Sequence, residues 1–514
     1  MLLEIAADAM SDRVAVGSHK RGLTYEQLRD RSRRLATLIA RSSYDRTAMV
    51  DVNSDILPAL LFASALAGVP FAPLNYRLAD DRLTAVCRRL GRALVVVNEE
   101  TRSRLDHVDT LGLISAAHFG ERIDGIAPIG DGEGGPDDVA IWLFTSGTTG
   151  EPKIALLRHR HLTSYVLETV ELMSADVDEA TLVSVPPYHV AGMMTILSNL
   201  YAGRRLVYLP QFDAQEWVRV ADAEAITHAM VVPTMLGRIL DQLQEQGTKL
   251  PSLRHLSYGG GRMPLPTIER ALDLLPHVGF VNAYGLTETS STIAVLGPDD
   301  HRAAHHSDVP RVKARLGSVG RPLPSLDVEI RDIDGNVLGA EEQGEIYVRG
   351  AQVAGEYEGR TALTADGWFP TNDGGYLDVD GYMYVEGRLD DVIVRGGENI
   401  SPGEIEDVLL QHPAVAEVGV TGVPDEEWGE AVASAVVLEP GARVSGSDLQ
   451  AWVRTHLRSS RVPTIVQLRT ELPYTETGKL LRRVLRTELS TAARLTTQES
   501  VASRTADDRD RRCN

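Results

Sequence analysis

The feature that most constrains the fold is a repeated alternation of short apolar runs, turns rich in glycine or proline, and segments with helical periodicity. Residues 140–144 form an apolar run that leads into a loop of glycine and threonine. Residues 253–258 lead into three glycines, and the following segment places Ile268, Leu272 and Leu275 on one helical face. Strand, loop and helix in alternation predict a domain of layered α/β sheets.

The pattern changes near residue 388, which predicts a second, smaller domain. Ser401 and Glu404 have the spacing of a capping box, with Pro402 at the first helical position. Helical and strand-like patterns then follow in a unit of about a hundred residues, a typical size for a small domain. We predict a large N-terminal domain (1–388), a small mobile α+β domain (389–489) and a disordered polar tail (490–514).

Charge and cysteine content exclude some classes of protein. The chain has 514 residues and a formal net charge of −20, which argues against broad nucleic-acid binding but not against an anionic cofactor. Cys87 and Cys513 are far apart and indicate neither a disulfide framework nor a metal cluster, as expected in a reducing cytoplasm. The first ten residues carry Glu4 and Asp8 and no basic region, so we expect no signal peptide.

Residues 56–74 contain no charged side chain and are long enough to span a bilayer. The stretch is interrupted by Pro58, Gly68, Pro70 and Pro73. These interruptions favour a buried helix over residues 57–67 followed by a buried strand. We therefore expect no membrane span here.

The strongest chemical signal is the sequence Thr-Ser-Gly-Thr-Thr-Gly-Glu-Pro-Lys at residues 145–153, directly after an apolar run. Glycines let backbone N–H groups approach an anion, and hydroxyls and a lysine add donors and positive charge. A Walker A loop has a different spacing, with four residues before its Gly-Lys-Ser/Thr end. The alternative is a polar turn between two elements.

With this loop the sequence resembles the superfamily of acyl-CoA synthetases, peptide-synthetase adenylation domains and luciferases, and is closest in type to bacterial fatty-acid–CoA ligases. Four further motifs of that superfamily follow in order at residues 284–288, 371–376, 387–406 and 473–479. The resemblance extends from about Leu23 to Arg486.

The resemblance implies a site for ATP and Mg²⁺. Thr287 would contact the α-phosphate, and Glu288 would bind the metal, a hard cation that prefers oxygen ligands. Tyr284 would lie near the adenine, and Asp373 and Arg388 would bind the ribose. The residues implied to hold the β- and γ-phosphates are Thr145, Ser146, Gly147, Thr148, Thr149, Gly150 and Lys153.

The resemblance also implies a site divided between the two domains. Lys479 would bridge the carboxylate of the acid and the phosphate, so it is a catalytic candidate together with Thr287 and Glu288. Asp390 would be the hinge about which the small domain rotates. Gly396 and Gly397 would then line a channel for the thiol of coenzyme A.

His189 falls where the superfamily has an aromatic or histidine residue at the acyl pocket, although an isolated histidine is more often an ordinary packed residue. The glycines implied to form a wall of the same pocket, with room for a long or bulky acid, are Gly259, Gly260 and Gly261. Three positions depart from the usual pattern, in each case by replacing a common glycine: Ala283, Ile154 and Asn372.

We expect a ligase that joins a fatty or other apolar carboxylic acid to coenzyme A through an acyl-adenylate. One alternative is a ligase that loads the phosphopantetheine of a carrier protein, which presents the same thiol. An alternative of another class is a non-catalytic nucleotide-binding protein. The presence of Glu288 and Lys479 argues against the last alternative.

Overall fold

A computed structural model describes residues 1–130, 132, 134–145, 152–425, 427–474 and 480–492. The chain divides into two compact units. The first comprises Met1–Gly260, Arg270–Glu329 and Tyr347–Thr371, and the second comprises Gly261–Glu269, Ile330–Ile346 and the residues from Asn372 onward.

The helices are numbered in chain order. Their bounds are α1 Leu2–Ala9, α2 Tyr25–Ala40, α3 Ile56–Leu66, α4 Asp80–Arg89, α5 Glu99–Leu105, α6 Phe119–Ile123, α7 His159–Thr169, α8 Val190–Ala202, α9 Ala214–Ala223, α10 Pro233–Gln246, α11 Leu265–Leu274, α12 Pro298–His305, α13 Pro310–Lys313, α14 Pro402–Leu410 and α15 Gly446–His456. Residues 482–492 are also helical.

The strands up to residue 300 are β1 Val14–Val16, β2 Leu23–Thr24, β3 Arg46–Val50, β4 Phe71–Pro73, β5 Ala93–Val97, β6 Leu111–Ser115, β7 Val139–Thr145, β8 Lys153–Arg158, β9 Ala180–Val183, β10 Arg205–Tyr208, β11 His228–Val231, β12 His255–Gly259, β13 Gly279–Leu286 and β14 Ser291–Leu296. The later strands are β15 Arg321–Pro322, β16 Asp327–Arg331, β17 Gly344–Arg349, β18 Glu356–Tyr357, β19 Arg360–Thr361, β20 Phe369–Leu377, β21 Met383–Arg388, β22 Ile393–Arg395, β23 Glu398–Ile400, β24 Val415–Asp425, β25 Gly429–Leu438 and β26 Ile465–Arg469.

The first unit contains two large sheets, which confirms the predicted α/β layers. One has the strand order β15-β14-β13-β12-β11-β9-β10-β1-β2, and the other has the order β19-β18-β8-β7-β4-β3-β5-β6. In the first of these sheets β9, β11, β12 and β13 are parallel to one another. Parallel strands that alternate with helices are typical of sheets covered on both faces.

The β5 strand shows why its sequence is apolar throughout. Leu94 and Val96 pack into one hydrophobic core, and Ala93, Val95 and Val97 pack into another. Successive side chains of a strand point to opposite faces, so a strand between two cores contains a continuous apolar run.

The uncharged stretch at residues 56–74 is a buried helix followed by a buried strand, as predicted. Helix α3 begins at Ile56, and strand β4 covers Phe71–Pro73. Among the residues that the structure describes, no helix is both long and apolar enough to cross a membrane.

The second unit contains a sheet in the order β23-β22-β25-β24, with β26 added parallel to β25. Helices α14 and α15 pack on this sheet through Ile405, Leu409, Leu449 and Val453. The buried Glu406 accepts hydrogen bonds from the Val420 amide and the Arg482 guanidinium. This carboxylate therefore ties the 482–492 helix to the sheet.

The predicted capping box at the start of α14 is wrong, although Pro402 does begin the helix. The Ser401 hydroxyl donates to the Glu386 carbonyl oxygen at 2.9 Å instead of capping the helix. The Glu404 carboxylate pairs with Arg461 at 3.1 Å. Both side chains have tertiary partners that compete successfully with the local cap.

Residues 261–269, 330–346 and 372–388 group with the C-terminal part of the chain, and the predicted domain boundary at residue 388 stays a prediction. The predicted mobile domain at 389–489 stays a prediction about movement. Most of the predicted tail at 490–514 lies outside the described residues.

Candidate active site

The carboxyl edge of the first sheet gathers several of the predicted site residues. Gly259 ends β12, Tyr284 lies near the end of β13, and Glu288 follows in a 3₁₀ turn at Thr287–Thr289. His189 lies after β9, at the residue before α8. Because the carboxyl ends of neighbouring parallel strands meet at one edge, the topology places these residues on the same side of the first unit.

The predicted phosphate loop connects two antiparallel strands. Thr145 ends β7 and pairs with Lys153, the first residue of β8, and the Thr145 hydroxyl lies 3.4 Å from the Lys153 carbonyl oxygen. The two ends of the loop are therefore fixed by the ladder. Six loop residues lie outside the described residues: Ser146, Gly147, Thr148, Thr149, Gly150 and Glu151.

The turn that carries Thr287 and Glu288 is tight. A Cβ on Gly285 would lie 1.6 Å from the Ser291 carbonyl oxygen, so only glycine fits where the chain turns back. Ser290 and Ser291 have positive φ angles of 54° and 114°, a conformation that costs energy outside glycine. The buried Gln352 side chain donates to the Thr289 and Thr292 carbonyl oxygens at 3.1 and 2.8 Å and fixes this backbone.

Glu288 is held through both its backbone and its side chain. Its carbonyl oxygen accepts from the Ala354 and Gly355 amides at 2.8 and 3.0 Å. Its carboxylate accepts a hydrogen bond from the Tyr357 hydroxyl. The Lys153 ammonium lies 5.9 Å from the centre of the Tyr357 ring. Tyr357 therefore lies close to both the phosphate-loop lysine and Glu288.

The Glu288 carboxylate is a chemically suitable ligand for the magnesium ion that the resemblance implies. The described residues contain no group of three or more His, Cys, Asp or Glu side chains that could hold a metal ion. Mg²⁺ is usually bound through one or two carboxylates together with phosphate oxygens and water, rather than by an all-protein cage. A single positioned carboxylate is therefore a suitable protein ligand.

The two predicted ribose ligands are brought together in the second unit. Asp373 and Arg388 are direct partners across the β20–β21 ladder, and the guanidinium lies 3.0 Å from the carboxylate. Asp373 is buried, so its orientation is fixed by this pair. Charge-assisted pairing of this kind stabilises a buried carboxylate.

The structure explains why asparagine is suitable at position 372, where the superfamily commonly has glycine. Its φ angle is 59°, a left-handed conformation that asparagine tolerates better than most residues. The Asn372 amide N–H donates to Glu345 at 2.9 Å, and its side-chain amide donates to Asp390 at 2.8 Å. The asparagine therefore supports the backbone of Asp373 and links it to the proposed hinge residue.

His189 lies in surroundings that favour its uncharged form. Burial lowers its pKa to about 4, and its ring lies 4.8 Å from that of the buried Tyr188. The imidazole is therefore neutral at neutral pH.

The three predicted pocket glycines have different surroundings. A Cβ on Gly259 would lie 2.4 Å from the Ala283 carbonyl oxygen and 3.7 Å from the Met230 methyl group, so close strand packing already requires this glycine. Gly260 has a φ of 77°. Gly261 belongs to the second unit, whereas the other two belong to the first.

The remaining predicted residues lie in the second unit. Asp390 lies in a 3₁₀ turn at Leu389–Asp391. A Cβ on Gly396 would lie 2.7 Å from the Trp428 ring, whereas one on Gly397 would meet nothing within 4 Å. Lys479 lies outside the described residues.

Two residues beside the turn that carries Glu288 were not predicted: Tyr357 and Gln352. In the second unit, Trp428 next to Gly396 was not predicted either. Tyr357 is 69 positions from Glu288 and lies in a strand of only two residues, so no local pattern indicates its role. Gln352 precedes the same strand and contacts the turn only in three dimensions. A sequence signal for either residue would require knowledge of the strand pairing.

Comparison with known proteins shows similarity along most of the chain. A feruloyl-CoA synthase from Amycolatopsis sp. is 34% identical over 477 residues, which cover 90% of this chain and 93% of the relative. The fatty acid–[acyl-carrier-protein] ligase ScoC from Streptomyces coeruleorubidus is 33% identical over 491 residues, which cover 92% of each chain.

A solved structure of o-succinylbenzoate CoA synthetase (MenE) from Bacillus subtilis, in complex with the acyl-adenylate intermediate, has a TM-score of 0.81 and 29% identity. The match covers 94% of this chain and 97% of that protein. Another structure of the same enzyme contains ATP and a magnesium ion, with a TM-score of 0.80 and 28% identity, and covers 94% of this chain and 98% of that one.

Family models match both parts of the chain. The model for AMP-binding enzymes matches residues 3–358, and the model for the C-terminal domain of AMP-binding enzymes matches residues 404–479. The matches follow the same order as the motifs and include both Glu288 and Lys479. The chain therefore belongs to the family of AMP-binding enzymes.

Proposed function

We propose that this protein is an AMP-forming acid–thiol ligase that activates an apolar carboxylic acid with MgATP and transfers the acyl group to coenzyme A. The observation that carries the proposal is the convergence of Lys153 and Glu288 on Tyr357, beside the two ends of the phosphate loop. A cation for phosphate oxygens and a carboxylate for a metal are both needed to hold MgATP.

In the first half-reaction, a carboxylate oxygen of the acid attacks the α-phosphorus of ATP. The bond from that phosphorus to the oxygen that bridges it to the β-phosphorus breaks, and pyrophosphate leaves with the electron pair. Lys153 and the loop hold the departing phosphates, and Thr287 contacts the α-phosphate. Glu288 would hold Mg²⁺, which would neutralise part of the phosphate charge.

Lys479 is proposed to bridge the two anionic reactants. Catalysis of this step depends mainly on positioning and on neutralisation of charge. The Asp373–Arg388 pair is proposed to bind the ribose hydroxyls and to hold the nucleotide while the carboxylate approaches.

In the second half-reaction, the sulfur of coenzyme A attacks the acyl carbonyl carbon. The carbon–oxygen bond to AMP breaks, and the thiol proton is released. Gly396 and Gly397 are proposed to line the path of the thiol after a rotation at Asp390. The ScoC relative is named for transfer to an acyl carrier protein, which supports a carrier thiol as the second candidate acceptor.

The acid is proposed to be apolar, and aromatic acids are the first candidates. Two relatives or neighbours are named for acids that contain an aromatic ring, feruloyl and o-succinylbenzoyl, and one for fatty acids. The o-succinylbenzoyl group keeps a second carboxylate, so only the feruloyl and fatty acyl groups support an uncharged acyl group. The neutral state of His189 supports a pocket for an uncharged acyl group, because burial keeps its pKa far below neutral pH.

The test is pyrophosphate release with a panel of acids: ferulate, o-succinylbenzoate, benzoate, and a medium- and a long-chain fatty acid. Each acid is assayed with no thiol, with coenzyme A and with a phosphopantetheinylated carrier protein. We expect acid-dependent release that coenzyme A accelerates, together with an acyl-CoA product. Glu288→Gln serves as the matched variant and should lower turnover by a factor on the order of 10² or more.

ATP binding without release for any acid would contradict the proposal and would favour a nucleotide-binding protein without ligase activity. Acceleration by the carrier protein alone would replace coenzyme A as the acceptor. Release that Glu288→Gln leaves unchanged would remove Glu288 from the site.

A further inference from the structure

The segment 354–358 is anchored firmly on two sides within the first unit. On one side the Ala354 and Gly355 amides donate to the Glu288 carbonyl oxygen. On the other side Tyr357 pairs with Ala155 of β8, and the Glu358 amide donates to the Ile154 carbonyl oxygen at 3.0 Å. The segment therefore links the turn that carries Glu288 to the strand that begins with Lys153.

An ion pair fixes the strand that carries Tyr357. The Arg158 guanidinium, on β8, donates two hydrogen bonds to the Glu356 carboxylate at 2.6 and 2.7 Å. This two-point contact restricts the neighbouring residue more than a single bond would. The backbone of Tyr357 is thus set before any ligand binds.

The Tyr357 side chain is oriented by contacts at the ring and at the hydroxyl. The Arg360 guanidinium carbon and the Lys153 ammonium lie 4.8 and 5.9 Å from the ring centre, within the range of cation–π attraction. The hydroxyl donates to Oε1 of Glu288. A donor at one carboxylate oxygen restricts the orientation of the carboxylate and does not use its other oxygen.

We propose that Tyr357 is a positioning residue that orients the Glu288 carboxylate for Mg²⁺ and thereby sets the magnesium dependence of ATP binding, an inference that rests on the proposed function. Hydrogen-bond partners behind a metal ligand typically change metal affinity by about 10–100-fold when removed. Because Tyr357 acts through Glu288, its effect should depend on both the metal and that carboxylate.

The first test measures binding instead of turnover. ATP binding to the full chain is followed by calorimetry over a range of free Mg²⁺ concentrations, with no acid present. Tyr357→Phe keeps the aromatic ring near Lys153 and Arg360 but removes the hydroxyl. We expect the Mg²⁺ midpoint to rise about 10–100-fold, while ATP affinity without Mg²⁺ stays unchanged.

Two further variants separate positioning from a general structural effect. In a Glu288→Gln background, Tyr357→Phe should cause little additional change, because the carboxylate it positions is gone. Tyr25→Phe is the matched control, because it also removes a tyrosine hydroxyl, one that donates to the Leu200 carbonyl oxygen at 2.8 Å. This control should leave the Mg²⁺ midpoint unchanged.

An unchanged Mg²⁺ midpoint in folded Tyr357→Phe would overturn the inference, as would an equal loss of ATP affinity with and without Mg²⁺. An undiminished effect in the Glu288→Gln background would also overturn it. These outcomes leave the ligase proposal intact if the wild-type protein releases pyrophosphate with an acid. Absence of that release would instead reject the ligase proposal, while the binding data still decide the role of Tyr357.

Discussion

At the residue scale, several histidines are held neutral by burial, and His301 shows the cause most clearly. It is fully buried, its Nδ1–H donates to the Gly297 carbonyl oxygen at 2.8 Å, and its Nε2 accepts from the Tyr258 hydroxyl at 2.8 Å. Burial lowers its pKa from the ordinary 6.5 to about 4. The same direction and cause apply to His161 and His228.

The lowered pKa of His301 predicts that the free energy of unfolding decreases in mild acid. Between pH 6.5 and 4 the unfolded chain binds a proton at His301 that the folded chain does not, so stability falls as pH falls through this range. The expected slope is about 1.4 kcal/mol per pH unit for each such group. Thermal midpoints at neutral and mildly acidic pH should therefore differ less in His301→Gln than in the wild type.

The matched control is His19→Gln, because His19 is exposed. It should leave the difference between the two midpoints unchanged. Equal differences in wild type and His301→Gln would show that this imidazole does not contribute to acid sensitivity.

The sequence predicts which residues lie together where a motif contains them, and predicts this less well where tertiary contacts bring them together. Asp373 and Arg388 belong to motifs, and the ladder pairs them directly. Asn372 was visible as a departure, but its positive φ and its bond to Asp390 required the structure. Tyr357 could not be found from the sequence, because it meets Glu288 only through pairing of a two-residue strand.

At the element scale, the turn from Gly285 to Ser291 is the part of the site that tolerates amino-acid substitution least. The approach of the Ser291 carbonyl oxygen excludes any side chain at Gly285. We predict that Gly285→Ala lowers the free energy of unfolding by an amount on the order of 3 kcal/mol or more and displaces Glu288. Thermal unfolding and MgATP binding measure the two effects.

Gly237 gives a matched control within helix α10, because an added Cβ there would meet nothing within 4 Å. Gly237→Ala should be neutral or should stabilise by about 0.5–1 kcal/mol, the usual gain in a helix interior. Similar thermal midpoints for both variants would contradict the close approach at Gly285.

The elements themselves followed largely from periodicity. The apolar run at residues 253–258 became β12, the helical face with Ile268 and Leu272 became α11, and the uncharged stretch at residues 56–74 became a buried helix and strand. The capping box at Ser401 failed because the Glu386 carbonyl oxygen and Arg461 supplied other partners. Local patterns thus predicted element type well, but not the competition for side-chain bonds.

At the scale of the whole molecule, the account requires two half-reactions that use different residues of one chain. Glu288 and Lys153 lie in the first unit and are proposed to serve the adenylation step, whereas Gly396 and Gly397 lie in the second unit and are proposed for the thiol step. Lys479, which is proposed to act only in adenylation, should therefore be needed for one half-reaction and not for the other. The assignment of residues to the two half-reactions comes from the order of the motifs and stays a prediction. The grouping of residues 261–269 and 330–346 with the second unit depends on contacts that no motif encodes.

The central claim is that the protein makes an acyl-adenylate from a carboxylic acid and ATP. Its most direct test is exchange of labelled pyrophosphate into ATP with no thiol present, because exchange requires reversible formation of the adenylate. The account predicts exchange that depends on both the acid and Mg²⁺ in the wild type and that is lost in Lys479→Ala, which should still form thioester from supplied acyl-adenylate. No exchange with any acid that supports thioester formation, or undiminished exchange in Lys479→Ala, would contradict it.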